Sequence, residues 1–212
     1  MSVQRDKERI RRNFAPTAGV NFVDDITPHE LRKLWLLNGS HSLMAYCAPV
    51  LGLETVYQAI NDPRVLGWVN AFWDDAVQQV PLPDAEKQAY RAALLERFTN
   101  PRMKDQLARI AADGTQKLPI RIVPALLADR KAGNSPLGAE RAVAAWTLHL
   151  RGLGAPVTDA KAELIQLGLD SPIRFHDQLV LEEIPKVDPT PGLTTDWYEL
   201  YKTWCGKHGY RA

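Results

Sequence analysis

A lysine, an asparagine and a histidine stand at Lys33, Asn38 and His41, spaced K-x4-N-x2-H within a stretch otherwise built of leucine and tryptophan. A desolvated lysine amine can pass a proton to or from an oxygen. Asparagine offers an uncharged NH2 donor suited to a developing alkoxide. Histidine can orient a hydroxyl by donating or accepting. Together the three types suit a carbonyl or alcohol site. Taken singly, each has an ordinary structural role: a lysine at the surface, an asparagine in a local polar contact, a histidine satisfied in the core.

The spacing acquires meaning on a helix, and the flanking residues supply one. Thr27 is a good N-cap, Pro28 suits the first helical position, and Glu30 completes a capping box with Thr27. The pattern stays helix-compatible to Ala48, where Pro49 stops it. At about 100° per residue, Lys33, His41 and Asn38 fall near 0°, 80° and 140° on one broad face. Along the axis Lys33 lies roughly 7.5 Å from Asn38 and roughly 12 Å from His41. That span fits an extended polyol or sugar acid lying along the helix. Convergence on one carbonyl requires Lys33 to curl toward the C-terminus, or a local irregularity near Gly39.

These residues resemble a family. The runs Gly19–Glu30 (GVNFVDDITPHE) and Leu36–Ser42 (LLNGSHS), with Lys33 between them, are similar to the polyol-specific long-chain dehydrogenases, which include mannitol 2-dehydrogenase, fructuronate reductase and tagaturonate reductase. The likeness continues through Arg97–Pro101 (RFTNP), Asp113–Arg121 (DGTQKLPIR) and Ala144–Trp146, covering residues 19–155 well and the tail more loosely. The resemblance implies a lysine acid/base at Lys33, with Asn38 and His41 binding and polarising the reacting oxygen. It implies NAD or NADP as cofactor and a polyol, ketose or sugar-acid substrate. It also implies an all-α, multi-helix substrate domain like the C-terminal domain of mannitol dehydrogenases, of the 6-phosphogluconate dehydrogenase C-terminal type.

Members of that family carry a Rossmann domain ahead of the helical one. No G-x-G-x-x-G between a strand and a helix occurs in this chain, and Gly152-Leu153-Gly154 reads as a helix stop before Pro156. The expected organisation is therefore a basic N-terminal arm over 1–18, unlike the family, and a helical domain over 19–212. No cofactor-binding residue is assigned, and a separate Rossmann-bearing polypeptide is a candidate partner.

With 212 residues the chain can build one substantial core, and its net charge of +1 gives no reason to invoke nucleic acid or a membrane surface. No run approaches the length of a membrane span. Cys47 and Cys205 lie far apart without metal-ligand spacing, so the reducing cytoplasm is the default compartment, with Cys47 a small buried hydrophobe. His29, His149, His176 and His208 show no partner pattern, and no metal is expected.

The punctuation is helical throughout. Asp62-Pro63, Asn100-Pro101, Ser135-Pro136 and Ser171-Pro172 each place a capping side chain before a proline, while Gly114, Gly133, Gly152, Gly168 and Gly209 close segments. Helices are predicted near 28–48, 53–61, 63–79, 84–99, 101–112, 119–131, 136–151, 159–168, 172–184 and 196–208, the apolar one at 136–151 being central, and no sheet is expected. A second polar cluster, Asp113, Lys117 and Arg121, recurs at four-residue intervals. For a sugar acid, Lys117 and Arg121 are candidate substrate-binding cations, Arg121 being the better bidentate partner of a carboxylate; the plain alternative is an exposed, salt-bridged helix start. Against the enzyme-half reading stand a non-catalytic helical interaction module or decayed enzyme fragment, and a helical adaptor whose exposed apolar patch is an orphaned domain interface.

Overall fold

The structure, a computed structural model, describes residues 23–150 and 152–161. Among them the chain forms helices and no strands, the extended pairing being limited to an antiparallel bridge between Thr55 and Gln106. The coil carrying the K-x4-N-x2-H residues runs from α1 (Thr27–Arg32) through a π-helical segment (Lys33–Gly39) into α2 (Ser40–Cys47). A 3-10 turn (Ala48–Leu51) containing Pro49 ends it at Gly52, which takes a φ of 78°. Then follow α3 (Val56–Asn61), α4 (Pro63–Gln78), α5 (Asp84–Phe98), α6 (Leu107–Ala111), α7 (Gly114–Arg121), α8 (Val123–Lys131) and α9 (Leu137–Leu150). The all-α expectation holds.

The central pair is α4 and α9, as the apolar run Ala142–Trp146 led us to expect. α9 packs on α4 and α2, and α2 in turn packs on α6. Trp68, Phe72 and Trp73 of α4 are fully buried and form the aromatic centre. Gly138 allows the approach: a Cβ there would stand 2.3 Å from the Phe72 backbone N and Cα. Cys47 is fully buried in this core, where desolvation pushes its thiol up to about 12.

Several element ends differ from the sequence reading, each because a nearer or better partner wins. Thr27 does not cap α1: Ile26 occupies the cap position, and the Thr27 N–H donates to Asp25 Oδ1 at 2.9 Å. Asp62 does cap α4 ahead of Pro63, accepting from the Arg64 N–H. Asn100 closes a turn instead of starting a helix, its Oδ1 accepting from the Arg102 N–H, and the predicted 101–112 helix shrinks to α6. The residues ahead of α6 are held extended, with Val56 N–H bonded to Asp105 O and Leu107 N–H to Glu54 O. Ser135 is likewise not the cap of α9; Asp75 of α4 accepts from the Gly138 and Ala139 N–H groups. Nor does Gly114 end a helix. It opens α7, with Asp113 in the left-handed region at φ 55°, and Pro119 lies inside α7 where a helix start was predicted. The break falls at Ile122, before α8. The Gly152–Gly154 stop is as expected, both glycines having positive φ. The N-terminal arm, Cys205 and the helices expected over 172–184 and 196–208 lie outside the described residues, as does most of 159–168.

Because backbone meets backbone at Gly138, a methyl group there has no flexible neighbour to displace. Gly138→Ala is expected to lose about 3 kcal/mol or more of stability, read as a lowered urea midpoint. An unchanged midpoint would show that α4 and α9 do not meet so closely.

Candidate active site

The coil that carries Lys33, Asn38 and His41 is continuous, but its register is not that of an α-helix. Over Lys33–Gly39 it is π-helical, a local irregularity and one of the two ways in which the three groups could converge. In a π-helix the N–H of residue i+5 reaches back to residue i, so each turn takes in more than the about 3.6 residues of an α-helix. Lys33 and Asn38, five apart, therefore come nearer one face than the ideal helix places them. Gly39 ends the segment against two neighbours: a Cβ there would lie 2.5 Å from Phe72 Cζ and 3.1 Å from the Arg121 carbonyl. The close approach sets the end of α7, and with it Arg121, beside the coil.

Burial changes along this coil. Lys33 is exposed, whereas Asn38 and His41 are half-buried. The His41 ring packs on Phe98 with centroids 4.9 Å apart, and its Nε2 is buried without a hydrogen-bond partner among the described residues. Desolvation pushes this imidazole down to about 4; Asp105 opposes the shift, and Arg97, Arg121 and Arg109 reinforce it. At neutral pH His41 is therefore an uncharged ring that can donate from one nitrogen and accept on the other.

Arg121 reaches the same place. Its Nη1 donates to Ser42 Oγ at 3.4 Å, and its Nε is also buried without a partner among the described residues. Burial lowers its pKa, yet a guanidinium stays charged. Lys117 is placed differently: its ammonium donates to the Ile110 carbonyl at 3.1 Å and to the Ala112 carbonyl, tying down the end of α6. Asp113 accepts from the Ala160 N–H, and Thr115 is held by Asp159, so the polar cluster is not a simple row of surface ion pairs. Arg121 and His41 are thus brought into one neighbourhood, while Lys117 has a structural task beside it.

Sequence reasoning missed Ser42, Phe98 and Asp105. Ser42 was legible as the neighbour of His41; the other two reach the imidazole only through the packing of α5 and the segment before α6.

The fold has known counterparts. Residues 25–167 match the mannitol dehydrogenase C-terminal domain. The chain belongs to the mannitol dehydrogenase family. It is 38% identical over 135 residues to the altronate oxidoreductases of Klebsiella pneumoniae and Escherichia coli, a stretch covering 63% of this chain and 28% of those proteins. Among solved structures, the ternary complex of Pseudomonas fluorescens mannitol 2-dehydrogenase with NAD and D-mannitol superposes with a TM-score of 0.67 at 32% identity, over 80% of this chain and 35% of that one. A substrate-free D-sorbitol dehydrogenase shares the fold, with a TM-score of 0.66 at 23% identity over 87% of this chain and 40% of its own. The chain thus spans little more than a quarter of the length of the curated relatives it matches. Its described residues hold no strand–turn–helix unit with a glycine-rich phosphate loop of the kind that cradles a dinucleotide, and buried polar atoms at His41 and Arg121 have no partner among them. No helix among the described residues is long and apolar enough to cross a membrane, and no group of three metal-ligating side chains forms among them.

The depressed His41 value carries a sign. The unfolded ring takes up its proton near pH 6.5 and the folded ring only near 4, so between these values the unfolded chain holds more protons. Stability present above pH 6.5 should fall as pH drops toward 4. His41→Gln should flatten that part of the slope, measured as melting temperature against pH for both proteins. A His41 13C titration by NMR with its midpoint near 6.5 would contradict the buried, neutral ring.

Proposed function

We propose that residues 19–212 form the C-terminal substrate domain of an NAD- or NADP-dependent dehydrogenase that interconverts a secondary alcohol and a ketone on a linear polyol or sugar acid, such as mannitol, arabinitol, mannonate or altronate. The nicotinamide is assigned to a Rossmann domain outside these elements, and residues 1–18 to a separate basic arm. The observation that carries the reading is the pair of buried hydrogen-bonding atoms without partners among the described residues, His41 Nε2 and Arg121 Nε, in a member of the mannitol dehydrogenase family.

Each side chain has one task in this reading. In oxidation Lys33 receives the hydroxyl proton as a neutral amine; in reduction its ammonium returns it. The Asn38 NH2 donates to the alkoxide form of the reacting oxygen. The neutral His41 ring aligns the adjacent hydroxyl through Nε2. When the substrate is a sugar acid, the Arg121 guanidinium pairs with its carboxylate, and Lys117 adds positive potential from its place at the end of α6. An exposed amine works on a hydroxyl only once a facing surface closes over it and removes the water. That requirement, and not a distance within this chain, makes the isolated chain inactive.

The exposure of Lys33 also supports a second reading, a non-catalytic helical module or enzyme remnant in which the amine is merely a surface charge. Lys33→Ala separates the two. In the chain combined with a Rossmann-bearing polypeptide, this change should abolish turnover of NADH with fructuronate or fructose while the melting curve stays within about a degree, as expected for an exposed residue. Turnover that survives the substitution selects the module. In the same assay Arg121→Met should raise KM for sugar acids at least about tenfold and leave neutral ketoses nearly unaffected.

A further inference from the structure

Three donors converge on one carbonyl in the middle of the π-helical segment. The Ser40 backbone N–H bonds to Leu36 O and to Leu37 O. Ser40 Oγ donates to the same two carbonyls, at 2.6 Å and 3.0 Å. From α4, Trp73 Nε1 donates to Leu36 O at 3.0 Å. Ser40 and Trp73 are both fully buried, so solvent does not compete for these bonds. Helix carbonyls ordinarily serve one amide; a hydroxyl bonded back to residue i−4, or a side chain inserted into the ladder, draws the carbonyl outward and bends or widens the coil. Ser40 is the first residue of α2, so the convergence lies where the wide register returns to the ordinary one.

We propose that Ser40 and Trp73 are positioning residues that hold Lys33–Gly39 in its π register and thereby keep Lys33 on the face that carries Asn38. The catalytic meaning of this register rests on the reading of Lys33 and Asn38 given above; the register itself does not. Without the two donors the segment relaxes to an α-helix, in which residues five apart point about 140° from one another. Trp73→Phe removes the indole N–H and keeps a ring in the aromatic core, and Ser40→Ala removes only the hydroxyl. Thr147→Val is the control, because Thr147 Oγ1 makes the same kind of back-bond, to Val143 O at 3.1 Å, within α9.

The register can be read directly in the 212-residue chain from NMR couplings across hydrogen bonds. In the wild type the Asn38 amide should couple to the Lys33 carbonyl; in Trp73→Phe and in Ser40→Ala the coupling should move to the Leu34 carbonyl, and in Thr147→Val it should not move. In the assembly that turns over, the two variants should lose about ten- to a hundredfold in kcat with KM little changed. Retention of the Lys33–Asn38 coupling in both variants overturns the proposal. A shifted register with kcat unaltered upholds the two donors as keepers of the register and overturns the substrate-facing role of Lys33.

Discussion

The structure turns on how closely three backbones are allowed to approach. Gly138 lets α9 lie against the Phe72 backbone, and the Phe72 ring then meets Gly39, which also touches the carbonyl of Arg121. A methyl group at either glycine would collide with atoms that have little freedom to move, all three contacts being with backbone or a buried ring. The candidate site inherits its geometry from this stack. The coil bearing Lys33, Asn38 and His41 is fixed against α4, and the end of α7 is fixed against the coil. From that position the Arg121 side chain reaches Ser42 Oγ.

Legibility of the fold followed the range of the interactions. Where a capping oxygen lies two residues from its amide, the sequence declares it, as Asp62 does for Arg64. Thr55 and Gln58 make a reciprocal box of the same local kind. The errors arose where a distant or competing group intervened. Asp75 caps α9 from 63 positions away and leaves Ser135 unused. Asn100 turns its side chain onto Arg102, because Thr55 and its neighbours hold the segment before α6 extended. The all-α class survives such errors, since the apolar periodicity is summed over many residues, although the single helix expected over 119–131 is two, α7 and α8. Ends do not survive them, being decided by single hydrogen bonds.

For the site, residue types were legible and their geometry was not. On an ideal helix the span suited an extended substrate, and convergence on one oxygen required either a curled Lys33 or an irregularity near Gly39. The form it takes depends on Trp73, 37 positions beyond the carbonyl it binds. The charge environment of His41 was equally hidden, since Phe98, Asp105 and the three arginines approach it from other elements. Lys117 shows the opposite failure. Its spacing from Arg121 suggested a shared task, yet a lysine beside a helix C-terminus finds backbone carbonyls close at hand, and Lys117 takes two of them.

The gradient of burial along the coil bears on how the proposed reaction divides between chains or domains. Lys33 is open to solvent, while His41, two turns further on, has a nitrogen that no group among the described residues satisfies. A buried polar atom without a partner costs about 1–3 kcal/mol, a cost that a hydrogen bond to a substrate would remove. An exposed amine carries no such cost and needs no such bond. In the proposed reaction the closed end of the coil would recognise a substrate hydroxyl before any chemistry, and the open end would complete its surroundings upon assembly. The matched region amounts to 28% of the altronate oxidoreductases and 35% of the mannitol 2-dehydrogenase chain, so most of each relative lies outside it. Recognition placed on the helical wall and desolvation supplied by the facing one would make proton transfer conditional on both. In such a design the hydroxyl-bearing substrate is held first by neutral and cationic donors, and Lys33 becomes reactive only when water has left.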